Sequence, residues 1–340
     1  MRWLPWSLST FKLVRFVLVI TALAVLLLKV GRADPLQRLA GAHVWLIAMA
    51  AVVQIIDGMV RAWNWRQLIC AMHIAPKVGY GRVLRLFWAG AFLGQAVPST
   101  AGTDAVRAIL ASRSFGGRVS EHVAAVVALN MISMMAGCTV GLAVAAWLFL
   151  TAPGHGVRPV VILLFAGALT AAVTAFWLVH RQRALLLWAL RLMRGRSLKL
   201  RRGLRRFTHR LLIFDRFHVP IAPIFAVSFL TLAMRATMFG LIGSSVGIVL
   251  PAAVWASLVP AAMLSAYIPY SIGGYGGDQA ALVYLVTAFG VGAGSALAFA
   301  LILPLMAMMF NMLGGLFVLS NHSASGSAIG MASGPGADNS

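Results

Sequence analysis

Long apolar runs separated by short polar ones set the plan of this 340-residue chain. A helix that crosses a bilayer needs about 20 mostly apolar residues. Runs of that kind predict spans at 14–30, 44–60, 123–150, 159–179, 220–248 and 296–319. The first is a little short, and Arg2, Lys12 and Arg15 before its apolar run Phe16 to Leu28 give it the look of a signal peptide. No convincing small-x-small cleavage site follows and further spans do, so an uncleaved first helix is expected. A polar link with Asp34 and Pro35 joins it to the second span, and the Ser/Gly/Ala-rich segment 321–340 predicts a disordered tail.

Two segments, 86–111 and 252–289, break this pattern in the same way. The first reads Leu93-Gly94-Gln95-Ala96-Val97-Pro98 and then passes through Gly102 and Thr103 to Asp104. The second reads Leu264-Ser265-Ala266-Tyr267-Ile268-Pro269 and passes through Ser271, Gly273, Gly274 and Gly276 to Asp278. Leu93 answers to Leu264, Val97 to Ile268 and Pro98 to Pro269. Backbone that leaves the helix at membrane depth must be buried in protein or line a cavity, because hydrocarbon offers no hydrogen-bond partners. The short arms fit re-entrant hairpins. Paired interruptions at corresponding positions of two halves point to a transporter's binding site; the plainer alternative is two kinked helices that share a Pro.

Composition agrees with the apolar pattern. The chain is 61% hydrophobic and only 10% charged, with a mean hydropathy of +0.91, where a soluble domain carries about a quarter charged residues. The fold class expected is all-α and polytopic. Against 28 Lys+Arg stand 7 Asp+Glu, a net charge of +21. Much of the excess lies in the loop 180–218, which the positive-inside rule places in the cytoplasm of a cell (inner) membrane, together with the N-terminus. That loop could also hold anionic lipid headgroups. The basic residues flank apolar spans instead of forming a separate domain, which excludes a nucleic-acid partner. With the loop inside, the first broken segment enters from the cytoplasmic face and the second from the opposite one, the geometry of an inverted repeat. From Arg61 to Arg85, Trp63, Trp65, Arg66, Lys77 and Arg82 read as an interfacial segment.

The residue inventory argues against an enzyme. The acids are scattered and the histidines at 43, 73, 122, 155, 180, 209, 218 and 322 form no HxxxH or HExxH pattern, so no metal or other cofactor is expected. Gly243-Ser244-Ser245-Val246-Gly247 spells G-x-S-x-G at the end of a membrane span, where small residues serve close helix packing. Cys70 and Cys138 read as small hydrophobes.

Binding chemistry is better supplied. Asp57 stands four residues before Arg61, the spacing of a local ion pair. Arg235 sits in the middle of a span, where an arginine costs a few kcal/mol and needs an interior partner; Asp104 and Asp278 are the expected candidates. Thr103 is placed to cap a helix beginning at Asp104, whose free N–H groups favour anions. Arg107, one turn on, offers a guanidinium fork for phosphate, against the alternative of a self-satisfied Asp104–Arg107 pair.

These residues resemble a known family. Arg61-Ala62-Trp63, the block Pro98 to Arg107 with Gly102-Thr103-Asp104, and Pro269-Tyr270-Ser271-Ile272-Gly273-Gly274-Tyr275-Gly276 resemble the flippase-like family named for the transmembrane region of lysylphosphatidylglycerol synthase. The family usually has Gly where Thr103 stands, an acid-Arg pair where Asn130-Met131 stand, and Arg-Glu where Asp278-Gln279 stand. The resemblance implies a multi-pass membrane protein that moves or handles lipids: aminoacylated phospholipids, glycolipids or hopanoid-type lipids. The synthase carries a soluble aminoacyl-transferase domain after its membrane block, whereas this sequence ends in a short tail, so lipid aminoacylation is not expected of it. The headgroup-binding candidates are Pro98, Gly102, Thr103, Asp104, Arg107, Arg235, Pro269, Ser271, Gly273, Gly274, Gly276 and Asp278. The competing expectation is a scaffold that presents lipid to a separate biosynthetic enzyme. Oligomeric state is not legible.

Overall fold

A computed structural model describes residues 33–95, 100–151, 166–170, 173–174, 221–265 and 277–332. The predicted spans 14–30 and 159–179, apart from the helical pieces 166–170 and 173–174, and the basic loop 180–218 lie outside them. Every labelled element is a helix: α1 (Ala33–Ala40), α2 (Val44–Ala71), α3 (Tyr80–Gly94), α4 (Thr100–Phe115), α5 (Val119–Thr151), α6 (Ile221–Ser245), α7 (Ala252–Ser265), α8 (Gly277–Ala288) and α9 (Ala293–Ala332). Val44–Ala71, Val119–Thr151, Ala222–Ser245 and Ala293–Phe317 are each long and apolar enough to cross a membrane.

Several boundaries differ from the sequence pattern. α2 does not stop near residue 60: it continues to Ala71, about 42 Å in all, because Trp65, Leu68 and Ile69 are buried against the rest of the protein. Part of the expected interfacial segment is therefore helix interior. Its far end is tied down by Arg66 Nε donating to the Val78 carbonyl at 2.9 Å and by the Tyr80 hydroxyl donating to the Met59 carbonyl at 2.9 Å. The polar link 31–41 contains α1. The last helix continues to Ala332, past the start of the expected disordered tail; adding residues to an existing helix needs no new nucleus.

Antiparallel packing of α2 on α6 forms the centre of the fold. The His43 N–H donates to the Ser245 carbonyl at one end, and Asn64 Nδ2 donates to the Ile224 carbonyl toward the other. Around this pair, α3 packs on α9, α7 on α5, and α3 on α4. Glycines set the close approaches. Gly58 receives the Trp88 indole, Gly243 receives the Trp255 indole, and Gly314 lies against the backbone carbonyl of Trp88. Small residues let helix backbones come together where lipid supplies no hydrophobic drive. Gly247, at φ +78, closes α6 in a left-handed turn, with the Ile248 N–H donating to the Gly243 carbonyl at 2.9 Å. The G-x-S-x-G letters thus serve packing and a helix stop.

Candidate functional site

Polar residues recur on α2 at Gln54, Asp57, Arg61 and Asn64, a spacing of three and four that puts them on one face of an otherwise apolar helix. That face looks into the protein. Gln54, Arg61 and Asn64 line a cavity of about 360 Å³, and Asp57 is 2% exposed beside it. The other walls come from Phe87 of α3, Thr103, Asp104 and Arg107 of α4, Asn130 and Ser133 of α5, Ser228, Thr231 and Arg235 of α6, and Asn311 of α9. The site thus draws on the helices before and after the basic loop alike.

The α3–α4 hairpin brings Asp104 and Arg107 to the cavity. Gly90 faces the stem of Arg107, and at Gly94 a Cβ would stand 2.8 Å from the Thr103 Cα. A side chain at either glycine would push the arms apart. α4 begins at Thr100, so Thr103 is inside the helix and does not cap it; its hydroxyl donates instead to the Gly94 carbonyl at 3.3 Å. The hairpin is fastened there, and the anion site expected at a helix start is not formed by Thr103. Gly102 lies in the same helix.

Asp104 is held from two sides. Arg107 Nη1 donates to its Oδ1 at 3.1 Å, the expected i,i+3 pair, and Asn130 Nδ2 donates to Oδ2 at 2.6 Å. Asn130, noted in the sequence only for standing where the family has an acid, here supplies a neutral donor to that carboxylate. Replacing Asn130 by alanine leaves one carboxylate oxygen without its partner. The expected loss is about 1.5–3 kcal/mol, typical of a hydrogen bond to a charged group, read as a lower thermal midpoint of the purified protein.

Arg235 finds a partner other than the two expected. Its Nε lies 3.5 Å from Asp57 Oδ2, and Asp104 is engaged elsewhere. Asp57 in turn does not form the local pair with Arg61. The reason is geometric: antiparallel packing lays the middle of α6 against the middle of α2, and the buried Asp57 is reached across the interface. Arg61, released from that pairing, projects into the cavity with its guanidinium carbon 5.4 Å from the centre of the Phe87 ring, while that of Arg107 stands 4.2 Å from the same ring. Cation–π contacts of this kind hold a guanidinium without neutralising it.

The structure therefore brings together Thr103, Asp104, Arg107 and Arg235 of the sequence-predicted residues. Pro98, Pro269, Ser271, Gly273, Gly274 and Gly276 lie outside the described residues. Asp278 belongs to α8, but its side chain is also outside them. Arg61, named from the sequence only as a local partner of Asp57 and in the family resemblance, is not among the headgroup candidates, nor are Asn64, Phe87 and Asn311; the polar stripe along α2 is the signal that finds the first two.

Four buried polar atoms around this site have no partner among the described residues: Asp57 Oδ1, Asn64 Oδ1, Trp65 Nε1 and Arg107 Nε. Such orphans are uncommon in a finished interior and suit a site that a polar ligand completes. Among the described residues no group of His, Cys, Asp or Glu could hold a metal ion.

No match was found among curated proteins. A family model, described as the lysylphosphatidylglycerol synthase TM region, matches residues 12–315. That interval takes in the α2 polar stripe, the broken α3–α4 hairpin and the Arg235 helix, and with its apolar helices the protein is a multi-pass membrane protein that belongs to the lysylphosphatidylglycerol synthase transmembrane-region family.

Proposed function

We propose that the cavity binds the anionic headgroup of a membrane lipid and that the protein moves this lipid between leaflets. The single observation behind this reading is the composition of the cavity: three arginines, Arg61, Arg107 and Arg235, line it among apolar helices, with Asp104 engaging Arg107 and Asp57 engaging Arg235. Arginines there are costly and are kept where they meet a partner or a substrate. In this reading the protein performs no bond chemistry of its own. It works in the inner membrane, its basic loop is cytoplasmic, and a lipid or glycolipid biosynthetic enzyme supplies or takes up its lipid.

Two features support an inverted repeat as the means of alternating access. Long, short, short, long is the order of both α2–α5 and α6–α9. Exchanging the two groups exchanges the α3–α9 contact with the α7–α5 contact and leaves the α2–α6 contact in place. Equivalent helices of inverted repeats run in opposite directions, as α2 and α6 do.

Reconstitution tests the reading. Proteoliposomes holding the purified protein and a fluorescent anionic phospholipid are expected to show faster loss of inner-leaflet protection than empty vesicles, and Arg107→Ala is expected to abolish the difference. Movement equal to that of empty vesicles would favour a scaffold that presents lipid to an enzyme.

A further inference from the structure

The two described acids around the cavity are already engaged. Asp104 is held by Arg107 and Asn130, and Asp57 faces Arg235. Arg61 has no carboxylate within ion-pair distance among the described residues, and its guanidinium rests on Phe87. Among the described residues, three guanidiniums against two carboxylates leave one positive charge, on Arg61. Beside it lie two buried N–H donors without partners among the described residues, Trp65 Nε1 and Arg107 Nε, and Trp65 is only 1% exposed. A phosphodiester carries one negative charge and only acceptor oxygens, which is the complement of one free guanidinium and two unused donors.

Resting on the headgroup reading above, we propose that Arg61 is the phosphate-binding residue of the cavity, and that the ligand is a lipid whose headgroup is attached through a single, singly charged phosphodiester. A pyrophosphate-linked lipid would bring at least one further negative charge into a site with no further cation to meet it among the described residues, at the cost of burying unpaired charge. A neutral lipid would leave Arg61 uncompensated. Phe87 holds the guanidinium in place from one side while leaving its N–H edge free.

Binding to the full-length protein in detergent separates the cases, with three probes: dioctanoylphosphatidylglycerol, its water-soluble counterpart glycerophosphoglycerol, and farnesyl pyrophosphate. The phosphatidylglycerol is expected to bind tightest. Arg61→Gln is expected to weaken it about 10- to 100-fold, the range for a charge-assisted hydrogen bond. Arg61→Lys, which keeps the charge and loses the fork, is expected to fall between. Trp65→Phe, which keeps the ring and removes one donor, is expected to weaken it several-fold; it also guards against a folding defect at Arg61. Unchanged affinity in Arg61→Gln with loss in Arg107→Ala would overturn the assignment of Arg61 and leave the headgroup site standing. No loss in either variant would overturn both. Tighter binding of farnesyl pyrophosphate would overturn the single-charge assignment, and equal binding of glycerophosphoglycerol would assign the site to a soluble phosphodiester.

Discussion

Replacing Asp57 by alanine is expected to lower the stability of the protein by about 3–5 kcal/mol, the penalty for removing one member of a buried ion pair. Asp57 lies near the middle of α2 and Arg235 near the middle of α6, so both are far from either end of their helices. Without the carboxylate at 3.5 Å, the guanidinium would stand unpaired at membrane depth. Removing the second charge as well should restore much of the loss, because an apolar pair of similar volume needs no compensation. The double variant Asp57→Ala, Arg235→Met is therefore expected to unfold at a higher temperature than Asp57→Ala alone. Equal thermal midpoints for the two would show that the charges do not interact, and would contradict the account of α2 and α6 packing given above.

The second large effect concerns a glycine. At Gly314 of α9 a Cβ would collide with the backbone carbonyl of Trp88 on α3 and would stand 3.0 Å from the Phe92 Cβ. The neighbour is backbone at the end of neither helix, so it has no rotamer by which to withdraw. Gly314→Leu must push α9 from α3 and with it loosen the wall that carries Phe87, Phe310 and the cavity. The expected cost is about 3 kcal/mol, the upper part of the range for overpacking. Gly81→Ala supplies the contrast, since a Cβ there meets no atom within 4 Å and alanine is the better helix former. Thermal unfolding in detergent should place Gly314→Leu well below the parent and Gly81→Ala level with it or slightly above. A Gly314→Leu protein as stable as the parent would mean that α3 and α9 are not in backbone contact.

The part of the fold that follows from hydropathy was legible in the sequence. Apolar runs located the described spans, and Pro98 with its small neighbours marked where α3 and α4 are separate arms. Asp104 and Arg107 were legible too, because three residues on a helix bring them together by local geometry alone. Partners across helices were not legible: Arg235 was matched to Asp104 or Asp278. Asp57 was assigned to Arg61 four residues on, and its partner is Arg235, 178 residues away in sequence. Nothing in periodicity states which antiparallel neighbour a helix will have, or at what height. The same blindness hid Arg61: its role in the cavity exists because Asp57 is occupied elsewhere. Asn130 was visible as a departure from the family pattern, yet its hydrogen bond to Asp104 depends on the packing of α4 against α5. Thr103 shows the reverse error. Its residue type suited a helix cap, but α4 starts at Thr100 and the hydroxyl turns to the α3 backbone.

The headgroup site itself is tested most directly by mass spectrometry of the lipids retained through detergent purification by the parent protein and by Arg107→Ala. The account predicts one class of anionic lipid enriched over its share of the membrane in the parent, and lost in the variant while the protein remains folded. Lipids in the proportions of the surrounding membrane, alike in both proteins, would contradict it.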